Sequence, residues 1–217
     1  MTKRAVCGLL FDETGSMGAI AQEAVKSVGE YIETLKDKTP AATVIISTFN
    51  SCKGLSVLRR GIAKDISVVS HEEYRPSCST PLIDSMMAMI KMLKEETSKG
   101  DNVVLVVMTD GEENCSRDYS LEELKKKVKS VRDKRNWEVI FLGANMDTFG
   151  FGAVANIKKS DTISWTGTGK SLLETMSDAS VRTVNYLVSE DNSSDFVDTY
   201  RADSVVISTT DDDQSVA

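Results

Sequence analysis

The chain has one histidine, three prolines and only 6% aromatic residues. A lone imidazole, His71, leaves no second one for a zinc site, and any Ser-His-Asp relay would rest on it entirely. Long hydrophobic runs are missing too. The longest, residues 103–108, is of strand length, far below the roughly 18 apolar residues of a membrane span. The basic start Met1-Thr2-Lys3-Arg4 precedes an apolar stretch that Asp12 closes, and no A-x-A cleavage pattern follows, so residues 5–11 read as a first strand and not as a secretory signal. Cys7, Cys52, Cys78 and Cys115 contain no C-x-x-C pair. That spacing predicts reduced thiols in a cytoplasmic protein. There is no basic stripe either, and a net charge of −7 repels phosphate backbones, which argues against nucleic acid as a partner.

What is present describes an ordinary globular chain. A length of 217 residues with 41% hydrophobic and 27% charged residues suits one α/β domain with a sizeable core. The charge is unevenly spread. Residues 190–217 carry eight acids against Arg201 alone, a balance of −7 that equals the chain's total and leaves residues 1–189 neutral. The expected organisation is therefore a domain over residues 1–189 and an acidic tail over 190–217, whose run Asp211-Asp212-Asp213 predicts a solvated end.

Strand-like and helix-like patterns alternate along the domain. After the first strand, Met17, Ile20, Ala24, Val28, Ile32 and Leu35 recur at helical spacing until Pro40. Residues 42–49 read as a second buried strand, and residues 55–62 as a third that returns antiparallel at the sheet edge. Thr80 and Pro81 look like the N-cap and first residue of a helix carrying Leu82, Met86, Ile90 and Leu93, with Gly100 as its stop and Met87, Met89 and Met92 as core filler. Residues 103–109 form a fourth strand. Ser120 with Glu123 forms a capping box before another helix. A fifth strand over 137–143, a short helix within 146–157, a weak sixth strand over 162–165 and a helix capped by Ser171 with Glu174 complete the series. The pattern predicts a doubly wound, mostly parallel six-stranded sheet with one antiparallel edge strand and helices on both faces.

In such sheets ligands bind at the carboxyl ends of the strands, where strand order reverses. The segment Asp12-Glu13-Thr14-Gly15-Ser16-Met17 lies at such an end. A carboxylate and two hydroxyls at alternate positions of a tight turn can face one ion, and Gly15 lets the backbone bend there. Asp110 closes the fourth strand, which neighbours the first in the order 3-2-1-4-5-6, and strands about 4.8 Å apart let two carboxylates share a hydrated cation. Hard oxygen ligands suit Mg²⁺ or Mn²⁺ better than Zn²⁺.

Asp12-x-Thr14-x-Ser16, the threonine of Ser79-Thr80-Pro81-Leu82 and the triplet Thr109-Asp110-Gly111 together resemble the metal-ion-dependent adhesion site of von Willebrand factor type A domains, of bacterial or phage type. The resemblance covers roughly residues 4–189, with Thr14 standing where serine is commoner. It implies a Rossmann-like fold and a Mg²⁺ or Mn²⁺ ion held by Thr14, Ser16 and Thr80 hydroxyls, with Asp12 and Asp110 bound directly or through water. It further implies a partner protein whose Asp or Glu carboxylate completes the coordination, with no turnover. Intracellular relatives work beside AAA+ ATPases or in assembly complexes. Glu112 and Glu113, after Asp110, are expected to face solvent.

Three other readings compete. A haloacid-dehalogenase-like phosphatase would use Asp12 as nucleophile, Ser47 or Thr48, Lys91 or Lys94, and Asp110, but its general acid, two residues after the nucleophile, is replaced by Thr14. The segment from Ser164 to Ser171 approaches a phosphate-binding loop but has Ser164 where the first glycine belongs; a glycine-rich turn explains it more simply. Cys52, Cys78 and Cys115 fall on loops at the same end as Asp12, where a soft-metal or redox site is the third alternative, but without a local pair half-buried thiols are the simpler expectation.

Overall fold

The computed structural model of the protein describes residues 3–189; the acidic tail anticipated over 190–217 lies outside the described residues. Six strands, β1 (Ala5–Asp12), β2 (Thr43–Asn50), β3 (Gly54–Ile62), β4 (Asn102–Thr109), β5 (Glu138–Gly143) and β6 (Thr162–Ser164), form one sheet in the order β3-β2-β1-β4-β5-β6. All neighbours are parallel except β2 and β3. The expected architecture, including the antiparallel edge, is what the chain adopts.

The five helices are α1 (Ala21–Lys38), α2 (Leu82–Glu96), α3 (Leu121–Arg135), α4 (Thr148–Val154) and α5 (Gly169–Val188). Strand side chains alternate between two cores. Cys7, Leu9 and Phe11 of β1 join Val28, Ile32 and Leu35 of α1 and Leu172 and Met176 of α5. Val6 and Leu10 join Leu82, Met86 and Leu93 of α2 and Val128 of α3 on the opposite face. Burial on both faces is why these strands read as continuous apolar runs. Gly8 permits the close approach of α2, since a Cβ there would lie 2.7 Å from Leu93 Cδ1 and 2.8 Å from Met89 Cε. Met86 and Met89 are fully buried and Met87 and Met92 partly so, as core filler should be.

Several helix ends differ from the local reading, most clearly where the cap comes from far along the chain. Met17 lies in a 3-10 turn, Gly15–Ile20, and α1 begins after it. Thr80 does not cap α2: Pro81 occupies that position, and the free amides are taken by Glu113 Oε2 (from Ile83, 2.8 Å) and Ser116 Oγ (from Asp84, 3.1 Å). Glu113 is thus a capping residue and not a solvated acid, while Glu112 is exposed. α2 also stops short of Gly100, with Thr97 extended and its hydroxyl donating back to Leu93 O at 2.6 Å. Thr168, not Ser171, caps α5, accepting the Ser171 amide at 3.3 Å. The Ser120–Glu123 capping box, a purely local device, forms as expected.

The largest correction concerns the cysteines. Cys52, in the β2–β3 turn, and Cys78, in the loop before α2, form a disulfide with Cα atoms 6.1 Å apart; Cys7 and Cys115 are free. Both bonded residues are exposed. Spacing along the chain conceals the pair because two loops from different strand connections meet above the sheet. The expectation of reduced thiols fails here, and with it the argument for a cytoplasmic setting. Among the described residues no helix is long and apolar enough to cross a membrane.

Candidate metal centre

The carboxyl ends of β1 and β4 lie side by side, and the 3-10 turn after β1 folds back over them. Asp12, fully buried at the end of β1, accepts from the Thr14 amide at Oδ1 (2.7 Å) and from Thr109 Oγ1 at Oδ2 (2.5 Å). Thr14 Oγ1 lies 3.2 Å from Ser16 Oγ, which donates to Asp110 Oδ1 at 2.5 Å. Thr80 enters from the loop before α2. The point where a Cβ on Gly111 would sit is 3.5 Å from both Ser16 Oγ and Thr80 Oγ1, so the two hydroxyls border the same small space. The five residues singled out from the sequence, Asp12, Thr14, Ser16, Thr80 and Asp110, are therefore gathered at one place, with Ser16 on its exposed rim.

The electrostatics of this cluster are unusual for a merely structural one. Among the described residues neither Asp12 nor Asp110 pairs with a lysine or arginine. Burial pushes Asp12 up to about 6 despite its bonds from Thr109 and Thr14, and burial also raises Asp110, opposed by the Ser16 hydroxyl. Two buried acids facing each other without a cation are costly. No three His, Cys, Asp or Glu side chains gather as a metal cluster among the described residues; the donor set here is two carboxylates and three hydroxyls, all hard oxygens.

Several supporting residues were not legible in advance. Glu13, 1% exposed, sits between motif residues and accepts from Thr48 Oγ1 (2.8 Å), Lys53 Nζ (2.9 Å) and the Arg75 amide (2.8 Å). Its own carbonyl accepts from the Ser77 amide at 2.9 Å. Tyr74 stacks on Phe11 with ring centroids 5.0 Å apart and donates its hydroxyl to the Asp12 carbonyl. Asn114 Oδ1 accepts the Thr80 amide at 2.9 Å. Gly15 donates to Cys78 O at 3.0 Å, and a Cβ on it would stand 3.4 Å from that oxygen. Close approach to the loop, more than a special bend, is what favours glycine there. An acid enclosed by a buried motif was the one available sequence signal, and it pointed to Glu13.

The residues of the competing readings lie elsewhere. Thr48 is bound to Glu13, Ser47 Oγ is buried without a partner in the core, and Lys91 and Lys94 are nine and twelve residues beyond the start of α2, about 14–18 Å along its axis. The glycine-rich segment before α5 satisfies its own groups: Thr166 N donates to Ser171 Oγ at 3.0 Å, and Gly167, at φ 73°, packs on Asn145. His71 is an exposed loop residue.

No protein-family model and no curated protein matches this sequence. Solved structures do match in shape. The pilus adhesin SpaC from Lactobacillus rhamnosus GG, in its open conformation, superposes with a TM-score of 0.64 at 14% identity over 85% of this chain, which spans 30% of the adhesin. A von Willebrand factor type A protein from Catenulispora acidiphila gives 0.58 at 11% identity over 85% of this chain and 43% of its own. The VWA domain of SpRpn10 gives 0.55 at 12% identity over 81% of this chain and 95% of that domain. At such identities the likeness speaks for architecture alone, and on that ground the chain has a von Willebrand factor A-like fold.

Proposed function

We propose that the protein is a metal-dependent protein-interaction module. Thr14, Ser16 and Thr80 would hold Mg²⁺ or Mn²⁺ through hydroxyl oxygens, with Asp12 and Asp110 bound directly or through water, and an Asp or Glu of a partner protein would complete the coordination. The observation that carries this reading is the pair of buried carboxylates without a cationic side chain, bordered by three hydroxyls and open at Ser16. A hard divalent ion supplies the missing positive charge, and an ion held by two carboxylates retains attraction for a third.

The role is binding and not turnover. Asp12, the nucleophile of the phosphatase alternative, has both carboxyl oxygens engaged within the fold, and the comparisons give that alternative no support. A partner of adhesin type, an AAA+ ATPase or an assembly complex would each fit a carboxylate-capturing face. The exposed disulfide favours an oxidising setting over the cytoplasm, since such bonds are reduced by cytosolic thiols. The test is calorimetric titration of the full chain with Mg²⁺ and Mn²⁺, followed by capture of partners with and without EDTA. Saturable binding that disappears in Asp12→Ala with Asp110→Ala supports the reading; unchanged binding in that double variant places the ion elsewhere.

A further inference from the structure

We infer that the paired surface of α2 and α3 is a docking site for the chain's own acidic segment, residues 190–217, held on Lys91, Lys94 and Lys127. α3 carries seven basic residues against three acidic ones in a body that is neutral overall. Some of that charge is locally answered: Lys126 faces Glu122 at 3.9 Å and Lys129 binds Asp133 at 2.7 Å. Lys91, Lys94 and Lys127 are not. Among the described residues none of the three makes an ion pair.

The nearest acids are committed elsewhere or stand apart. Glu123, one turn before Lys127, is bound into the capping box with Ser120, Glu96 binds Arg60, and Glu95 makes no ion pair among the described residues. Lys127 of α3 stands close enough to α2 for Lys94 and Lys91 to act on it: burial first, then those two charges, hold it below the ordinary lysine range. Like charges brought together in this way attract a counter-charge.

The chain supplies one at the right end of the molecule. Ser189, the last described residue, follows α5, and its carbonyl accepts from Asn102 Nδ2 at 3.1 Å at the start of β4. The C-terminal ends of α2 and α3 are tied together at that same pole, where Arg135 donates to Thr97 O at 2.8 Å. Glu190 and Asp191 follow at once, and Asp195, Asp198, Asp203 and Asp211 to Asp213 continue the charge. An extended chain covers up to about 3.3–3.6 Å per residue, and the three lysines lie within about 12 Å of the C-terminal ends of their helices, so the segment is long enough to span the distance.

Zero-length carbodiimide coupling of the full chain at low ionic strength, with linked peptides identified by mass spectrometry, tests this. The expected result is amide links within one molecule between Lys91, Lys94 or Lys127 and acids of residues 190–217. These links should be lost in high salt and in the Lys91→Gln, Lys94→Gln, Lys127→Gln variant. The Lys129–Asp133 pair serves as an internal control, because its atoms are already in contact. Coupling at that pair without any link from the three lysines to the segment overturns the proposal. So do links spread evenly over other exposed lysines such as Lys64 and Lys99, and so do links found only in covalent dimers, which would assign the surface to a second copy.

Discussion

Glu13 and Lys53 form an ion pair of 2.9 Å in which the Glu13 side chain is buried and the Lys53 side chain is 45% exposed. The asymmetry makes the two ends unequal. Glu13→Ala strands the Thr48 hydroxyl and the Arg75 amide and should lower unfolding stability by about 3 kcal/mol, whereas Lys53→Ala leaves both donors on the carboxylate and should cost about 1 kcal/mol or less. Urea unfolding of both variants checks this; equal losses would mean that the solvent-facing pair dominates.

Metal should stabilise the folded chain by mass action. At a hundredfold excess over the dissociation constant, Mg²⁺ or Mn²⁺ should add about 2.7 kcal/mol, or about 5–10 °C in Tm for a chain of this size. Differential scanning fluorimetry on the parent and on Asp12→Ala with Asp110→Ala measures it, and the double variant should show no shift.

Cys52 and Cys78 enclose the strand β3 and the loop that delivers Thr80. Replacing both by serine should reduce stability by about 2–4 kcal/mol and weaken metal binding, because Gly15 and the motif turn are bonded to the Cys78 carbonyl. The parent protein with and without dithiothreitol should reproduce the difference. A stability loss with metal affinity intact would separate the brace from the site.

Burial and the neighbouring Asp161 push Glu138 up to about 7, opposed by Lys158 at 3.9 Å and by Arg132. A carboxyl raised in the folded state binds its proton more tightly folded than unfolded, so its contribution is full below the unfolded value near 4.5 and is lost as pH rises towards 7. Relative to the parent, Glu138→Gln should gain stability on the order of 2 kcal/mol between pH 5 and 8. Parallel pH profiles of the two proteins would contradict the assignment.

At Gly8 any side chain must displace Leu93 or Met89. Gly8→Val should cost at least about 3 kcal/mol by overpacking, and Leu93→Ala in the same chain should recover part of it. Thermal melts of the single and double variants would show whether α2 can move outward instead.

The two-sided sheet was legible because parallel strands buried on both faces leave continuous apolar runs, and the gathering of Asp12, Thr14, Ser16, Thr80 and Asp110 was legible because their order along two strand ends and the loop before α2 is itself a pattern. What escaped prediction was contact between segments distant in sequence. Thr80 and Pro81 look like a helix start until Glu113 and Ser116 take the amides, whereas the Ser171 reading missed by a local margin, with Thr168 capping three residues earlier. Cys52 and Cys78 stand 26 residues apart with nothing local to join them. Ser120 and Glu123, by contrast, need only each other. Glu13 falls between these cases: its position was visible, but its three donors come from three different loops and strand ends.

Asn102 has one more consequence. Its amide donates to the Arg4 carbonyl at 2.9 Å and its side chain donates to the Ser189 carbonyl, so the first and last described turns of chain leave from neighbouring points. That pole is the one opposite Ser16. Among the described residues entry and exit therefore lie side by side, the arrangement that lets a domain sit within a surface loop of another polypeptide without spreading that loop.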